Sequence, residues 1–211
     1  METASLSSHP HRNDSRRTDL LESAFQLVLE KGIESTTIVD IVRRAATSRV
    51  TFYKHFKSLA DILSKVQESI LHQFRAYLEE HVKGNTGLEK CRCIFRSSLK
   101  FYEQFKDELR FTMMFDQYES FIRSSHSEGL SIYSKGWYSR YLEEGIRDGT
   151  LPDTAQFRLL FISMVNATIA LVQRMAMHGE RIKDESGHSA GEILETIAGT
   201  LETALTWQHS V

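Results

Sequence analysis

The sequence predicts an all-α fold of about nine helices. Three observations lead there. Two prolines and 11 glycines in 211 residues leave long stretches in which the i→i−4 hydrogen-bond ladder runs uninterrupted. Apolar residues recur at three- and four-residue spacing from Leu20 onward, the period of a single helix face. Glycine and polar clusters, GNTG at 84–87, SSHSEG at 124–129, GTLPD at 149–153 and KDESGHSAG at 183–191, cut the remainder into helix-length pieces.

In chain order, residues 1–15 are rich in Ser, His and Asn and nearly free of apolar side chains, so nothing offsets the entropy cost of ordering them. A flexible tail is expected. The first helix then presents Leu20, Leu21, Ala24, Phe25, Val28 and Leu29 on one side. Lys31 and Gly32 end it with a cation for the last carbonyls and a residue free to take positive φ. Thr36 or Thr37 is the expected N-cap of a second, two-turn helix, with Asp40 three residues beyond Thr37 and Ile38, Ile41, Val42 and Ala45 inward. A third short helix is expected from Ser48 through RVTFYKHF, where Phe52 and Phe56 stand four apart on one face. Ser58 with Asp61 resembles a capping box and opens a longer fourth helix carrying Ile62, Leu63, Val66, Ile70 and Phe74.

Three short helices on one small core, the second and third joined by a tight turn, form a helix-turn-helix unit over residues 16–61. Phe52 and Phe56 are the expected anchors, and the period turns Arg49, Val50, Tyr53 and Lys54 away from that core. A guanidinium, a phenol and an ammonium on one solvent-facing helix suit phosphate contacts on duplex DNA.

The run TTIVDIVRRAATSRVTFYKHFKSLADIL resembles the TetR family of bacterial transcriptional regulators. The family pattern is a Thr pair opening the second helix, an A-G-V-S-like turn, x-x-x-F-Y-x-H-F, and a K-S-K-E-D-L-L start to the fourth helix. The likeness spans roughly residues 17–66, about a quarter of the chain. It implies that the Thr36–Thr37 pair lies at the DNA, with Thr37 bonding a phosphate, that Tyr53 and His55 form a phosphate-contacting pair, and that Lys57 adds a charge contact. Arg49, Val50 and Thr51 stand where the family reads base edges, with Lys54 on the same exposed helix. Read by its residues alone, His55 beside Phe56 serves equally well as a cap on the core. Two departures matter: Ala46 replaces the usual turn glycine, so the backbone there either avoids positive φ or bears strain, and Leu59 replaces a frequent phosphate-touching Lys.

Residues 62–211 are the expected ligand-binding and dimerisation domain, which resembles the family's variable part; beyond Phe74 the sequence matches no motif, with candidate helices near 88–106, 108–122, 130–148, 154–180 and 190–208. FRLLFISMVNATIALVQRMAM is apolar nearly all round, so it is expected to be covered on two sides. A two-fold four-helix bundle with the C-terminal helix is one solution, using Phe161, Val165, Ile169, Ile197, Leu201 and Leu205, with Asn166 setting the register; a buried helix in a monomer is the other. Aromatic and Met residues crowd 95–141 and suit a pocket for an apolar or aromatic ligand as well as an ordinary core. Tyr102, Met114, Tyr118, Trp137 and Tyr141 are the candidate ligand contacts.

Composition bounds the rest. Hydrophobic residues at 41 % exclude a wholly disordered chain, no run approaches the roughly 18 apolar residues of a membrane span, and the N-terminus lacks a secretory h-region. A soluble cytoplasmic protein without membrane contact is expected. The net charge of −2 hides an asymmetry: residues 1–57 carry nine Lys and Arg against seven Asp and Glu, the remainder 17 against 21. That pattern suits one local anionic contact. Cys91 and Cys93 are too close for an ordinary disulfide and lack the C-x-x-C spacing of zinc sites, which leaves helix packing, with redox sensing or metal binding as the alternatives. No cofactor is expected, and the absence of HExxH, GxSxG and a glycine-rich phosphate loop argues against an enzyme. The reading is a homodimeric, ligand-responsive regulator on a DNA operator, with a helical ligand- or protein-binding module lacking DNA function as its rival.

Overall fold

The structure is a computed structural model and describes residues 10–122 and 138–207, all of whose regular structure is helical. Ten helices follow one another: α1 (Pro10–Lys31), α2 (Ile38–Arg44), α3 (Arg49–His55), α4 (Leu59–His81), α5 (Gly87–Arg96), α6 (Ser98–Gln104), α7 (Lys106–Ile122), α8 (Ser139–Arg147), α9 (Ala155–Ser186) and α10 (Ala190–Trp207). They divide into two compact units, residues 10–70 with 114–122, and residues 71–113 with 138–207. Helix α1 begins at Pro10, inside the segment expected to be tail, and Ile62–Ile70 of α4 belong to the first unit.

Local chemistry sets the short helices of the first unit. Thr37 caps α2 through a reciprocal box with Asp40: the Asp40 N–H donates to Thr37 Oγ1 at 3.2 Å, and the Thr37 N–H donates to Asp40 Oδ2 at 3.3 Å. Helix α2 ends in a Schellman pair, Thr47 N–H to Val42 O and Ala46 N–H to Arg43 O. That geometry requires a left-handed residue, and Ala46 supplies it with φ of 47°. Of the two alternatives open for the turn, the alanine therefore bears the strain. Ser48 caps α3 by accepting from the Thr51 N–H at 3.1 Å. Leu20, Ala24 and Val28 of α1, Ile41 of α2, Phe52 of α3 and Ile62 and Leu63 of α4 are fully buried, which is the small core that three short helices need.

In the second unit, the expected helix over 88–106 breaks at Ser97 into α5 and α6. Ser98 Oγ donates to Phe95 O at 2.6 Å, a local bond that competes with the ladder. Helix α5 starts against the end of α8: the Gly87 N–H donates to Asp148 Oδ2 at 2.7 Å and the Leu88 N–H to Thr150 Oγ1 at 3.2 Å. Two glycines permit this approach, because a Cβ on Gly87 would lie 2.0 Å from the Gly145 nitrogen. Phe74, Tyr77, Phe101 and Phe105 form an aromatic cluster with centroids 4.8–5.4 Å apart, mostly edge to face.

Helix α9 corrects one expectation. Its stretch Ala155–Gly179 is long and apolar enough to cross a membrane by length and composition, with a mean hydropathy of 1.6 over 18 residues. Phe157, Phe161 and Met175 are buried in the protein itself, while 33 % of that window as a whole is buried.

Candidate nucleic-acid interface and effector cavity

Helix α3 is pinned from below and open above. Phe52 and Phe56 are buried, with ring centroids 5.7 Å apart, and the Tyr53 ring meets Phe52 edge-on at 5.4 Å. On the other side Val50 is 68 % and Tyr53 56 % exposed, large apolar area left in water on a seven-residue helix. Arg49, Lys54 and Lys57 are exposed too, and none makes an ion pair or side-chain hydrogen bond among the described residues. The structure therefore gathers Arg49, Val50, Tyr53, Lys54 and Lys57 at one rigid, positively charged surface.

Other expected contacts sit elsewhere. Thr36 is 2 % exposed and its hydroxyl donates to Gly32 O at 2.7 Å, so its role is to close the α1–α2 turn. Thr37 is exposed, but its hydroxyl donates to Asp40 Oδ2 at 2.6 Å and is committed to the cap. Thr51 Oγ1 lies 3.1 Å from Ser48 Oγ in the α3 cap. His55 is half-buried 6.2 Å from the Phe56 centroid, and its Nε2 is shut off from solvent with no hydrogen-bond partner, which is the core-side placement. The signal was present in the spacing: His55 follows Phe52 by three residues and so shares its inward face.

The second unit contains a cavity of about 50 Å³, lined chiefly by Tyr77, Phe95, Phe101, Tyr138, Val165 and Ile169. Its walls are rings and branched aliphatics, with hydroxyls at Ser98 and Thr168 that donate to Phe95 O and Met164 O. Burial raises the Tyr77 phenol above its ordinary pKa, helped by the nearby Cys93. Of the expected ligand contacts, Tyr102, Met114, Tyr118 and Tyr141 do not line this space. Tyr102 is buried with its hydroxyl 3.4 Å from Met175 O, and Tyr141 is buried with its hydroxyl bonded to Arg140 and 3.4 Å from Leu78 O. Met114 and Tyr118 lie on the part of α7 grouped with the first unit, and Trp137 lies outside the described residues. Phe101 was findable as a ring neighbour of Phe74 and Tyr77 only once helices far apart in sequence were packed together.

The expected dimer residues are distributed likewise. Phe161, Val165, Ile169 and Leu205 are at most 5 % exposed within one chain, so their faces are already covered. Ile197 is half-buried, and the side chain of Leu201 lies outside the described set. Among the described residues, the large apolar side chains that α9 leaves in water are Leu159, Ile162 and Met177. Asn166 Nδ2 donates to Ile162 O at 2.7 Å, a bond made on its own helix. Cys91 is fully buried and its thiol is pushed up to about 12 by burial, then by Glu144 and Asp148, so it is an inert packing group. Among the described residues no group of three or more His, Cys, Asp or Glu is placed to hold a metal ion.

A capped, short-helix core presenting one basic, partly apolar helix defines a helix-turn-helix DNA-binding protein. Residues 20–66 match the family described as bacterial regulatory proteins, tetR family. That match is confined to the helix-turn-helix end of the chain, and the curated relatives that the chain resembles are HTH-type transcriptional regulators. It is similar to the HTH-type transcriptional repressor KstR2 of Mycolicibacterium smegmatis, 28 % identical over 153 residues that cover 68 % of this chain and 72 % of that one. In fold it resembles a TetR family regulator from Marinobacter aquaeolei, with a TM-score of 0.64 at 17 % identity, covering 92 % of this chain and 97 % of that one. It also resembles FadR of Bacillus subtilis, solved with stearoyl-CoA, with a TM-score of 0.59 at 16 % identity and coverage of 87 % and 96 %.

Proposed function

We propose that this regulator is a cytoplasmic repressor that binds a palindromic operator as a homodimer and is released by a small apolar or aromatic effector. The observation that carries the reading is the α3 surface, where unpaired Arg49 and Lys54 flank exposed Val50 and Tyr53 on a helix held by two buried rings. Rigid presentation matters because base contacts discriminate only when the side chains cannot wander. The repressor described for Mycolicibacterium smegmatis supports the direction of control.

The homodimer reading moves to the faces left exposed. Leu159, Ile162 and Met177 lie in water, and polar neighbours are folded onto their own helices: Ser163 onto Leu159 O, Thr196 onto Glu192 O, Thr200 onto Thr196 O and Thr203 onto Gly199 O. Such a surface offers methyl groups and small residues to a second copy and leaves few donors to desolvate. Paired heads would reach successive major grooves about 34–36 Å apart.

The cavity supports an apolar effector. At about 50 Å³ it is well below the roughly 300–1,000 Å³ of an ordinary ligand pocket. An effector therefore binds a widened form preferentially and draws population towards it, and only that difference in affinity releases DNA. The stearoyl-CoA bound by the Bacillus subtilis FadR is consistent with a long apolar ligand in this fold.

The test is fluorescence anisotropy on a duplex that the wild type enriches from a randomised pool. Arg49→Ala is expected to cost about 1–3 kcal/mol and relax specificity at one base position, and Tyr53→Phe to weaken all sequences alike. Unchanged binding in both variants refutes the contact surface.

A further inference from the structure

We propose that Arg17, on α1, is a phosphate-contacting residue of the DNA surface, held in register by Phe56; the inference rests on the DNA-binding reading above. It starts from a sorting of the head's cations. Arg16 lies 3.9 Å from Asp19, Lys31 2.7 Å from Asp40, Arg43 3.9 Å from Asp40, Arg44 2.7 Å from Glu30 and Lys65 2.6 Å from Glu68. Arg17, Arg49, Lys54 and Lys57 have no carboxylate partner among the described residues. Three of these four belong to α3 or directly follow it. The fourth comes to the same helix from another: Arg17 Cζ lies 5.5 Å from the centroid of the Phe56 ring, and Phe56 is the C-cap of α3.

Stacking makes this cation useful. Phe56 is 2 % exposed, so the ring is a fixed platform, while Arg17 itself is exposed. A guanidinium laid on a ring keeps its N–H fork in its own plane and loses little rotamer freedom on meeting a phosphate. With no carboxylate to leave, the full charge is available for displacing counterions from the duplex. Arg17 precedes the matched family segment, which begins at residue 20, so the contact adds a residue of α1 to the surface built by α3.

The experiment measures the salt dependence of binding to the duplex enriched by the wild type, alongside melting followed by circular dichroism. Arg17→Gln is expected to flatten the slope of log K against log salt by about 0.9 per subunit engaged and to weaken binding about tenfold, while Arg17→Lys keeps the slope. A purely structural role would lower the melting temperature and leave the slope alone. Arg17→Met, whose chain still covers the ring without charge, decides the case if Arg17→Gln melts early. A wild-type slope in Arg17→Met, with Lys54→Gln flattened, overturns the assignment while sparing the regulator reading. A wild type that enriches no duplex overturns both.

Discussion

Lys31 Nζ and Asp40 Oδ2 stand 2.7 Å apart and tie the last residue of α1 to the first turn of α2. The same carboxylate accepts from Thr37, and together the Lys31 bond and the Thr37 bonds hold Asp40 at a pKa of about 2, below the usual 3.8. Its contribution to stability is thus complete above about pH 4 and is lost as pH falls through about 2. The difference in urea midpoint between wild type and Asp40→Asn is expected to shrink across that window. A difference constant from pH 6 to 2 would refute the linkage.

Ala46 at φ 47° closes the Schellman turn between α2 and α3 in a conformation that a Cβ disfavours. Ala46→Gly relieves that strain at some cost in unfolded-chain entropy, for a net gain of about 0.5–1 kcal/mol. Calorimetry should show a rise of a few degrees, and a fall would mean the strain is absent.

Gly87 and Gly145 meet backbone to backbone where α5 starts against α8. Gly87→Ala places a Cβ 2.0 Å from the Gly145 nitrogen, so the helices must part and the bonds to Asp148 and Thr150 lengthen. The expected loss is about 1–3 kcal/mol by denaturant titration. Gly149→Ala, also near this junction, meets nothing within 4 Å and instead tests the φ of +75° alone.

Ile162 is 46 % exposed on α9, on the surface assigned to the second copy. Ile162→Glu buries an unpaired charge there and should weaken dimerisation by about 3–5 kcal/mol, visible as monomer in sedimentation velocity. Retention of the wild-type dimer would place the interface on another face.

What the chain determined by itself is what depends on neighbours three or four residues apart. Thr37 with Asp40, Ser48 with Thr51, Ser58 with Asp61, and Phe52 with Phe56 are local pairs, and their spacing alone locates the head's short helices. The whole surface of α3 follows from that period, because a seven-residue helix with two inward rings has few other faces to show. The tertiary structure decided everything that needed a distant partner. The stretch FRLLFISMVNATIALVQRMAM of α9 is apolar nearly all round, so periodicity could not say that Phe161, Val165 and Ile169 turn inward while Leu159, Ile162 and Met177 stay in water. The cavity unites Tyr77, Phe101 and Val165 from three helices, and Arg17 reaches Phe56 across 39 residues. Hydrophobic burial is non-directional, so a sequence can require that such residues be covered without saying by what; packing of whole helices makes that choice.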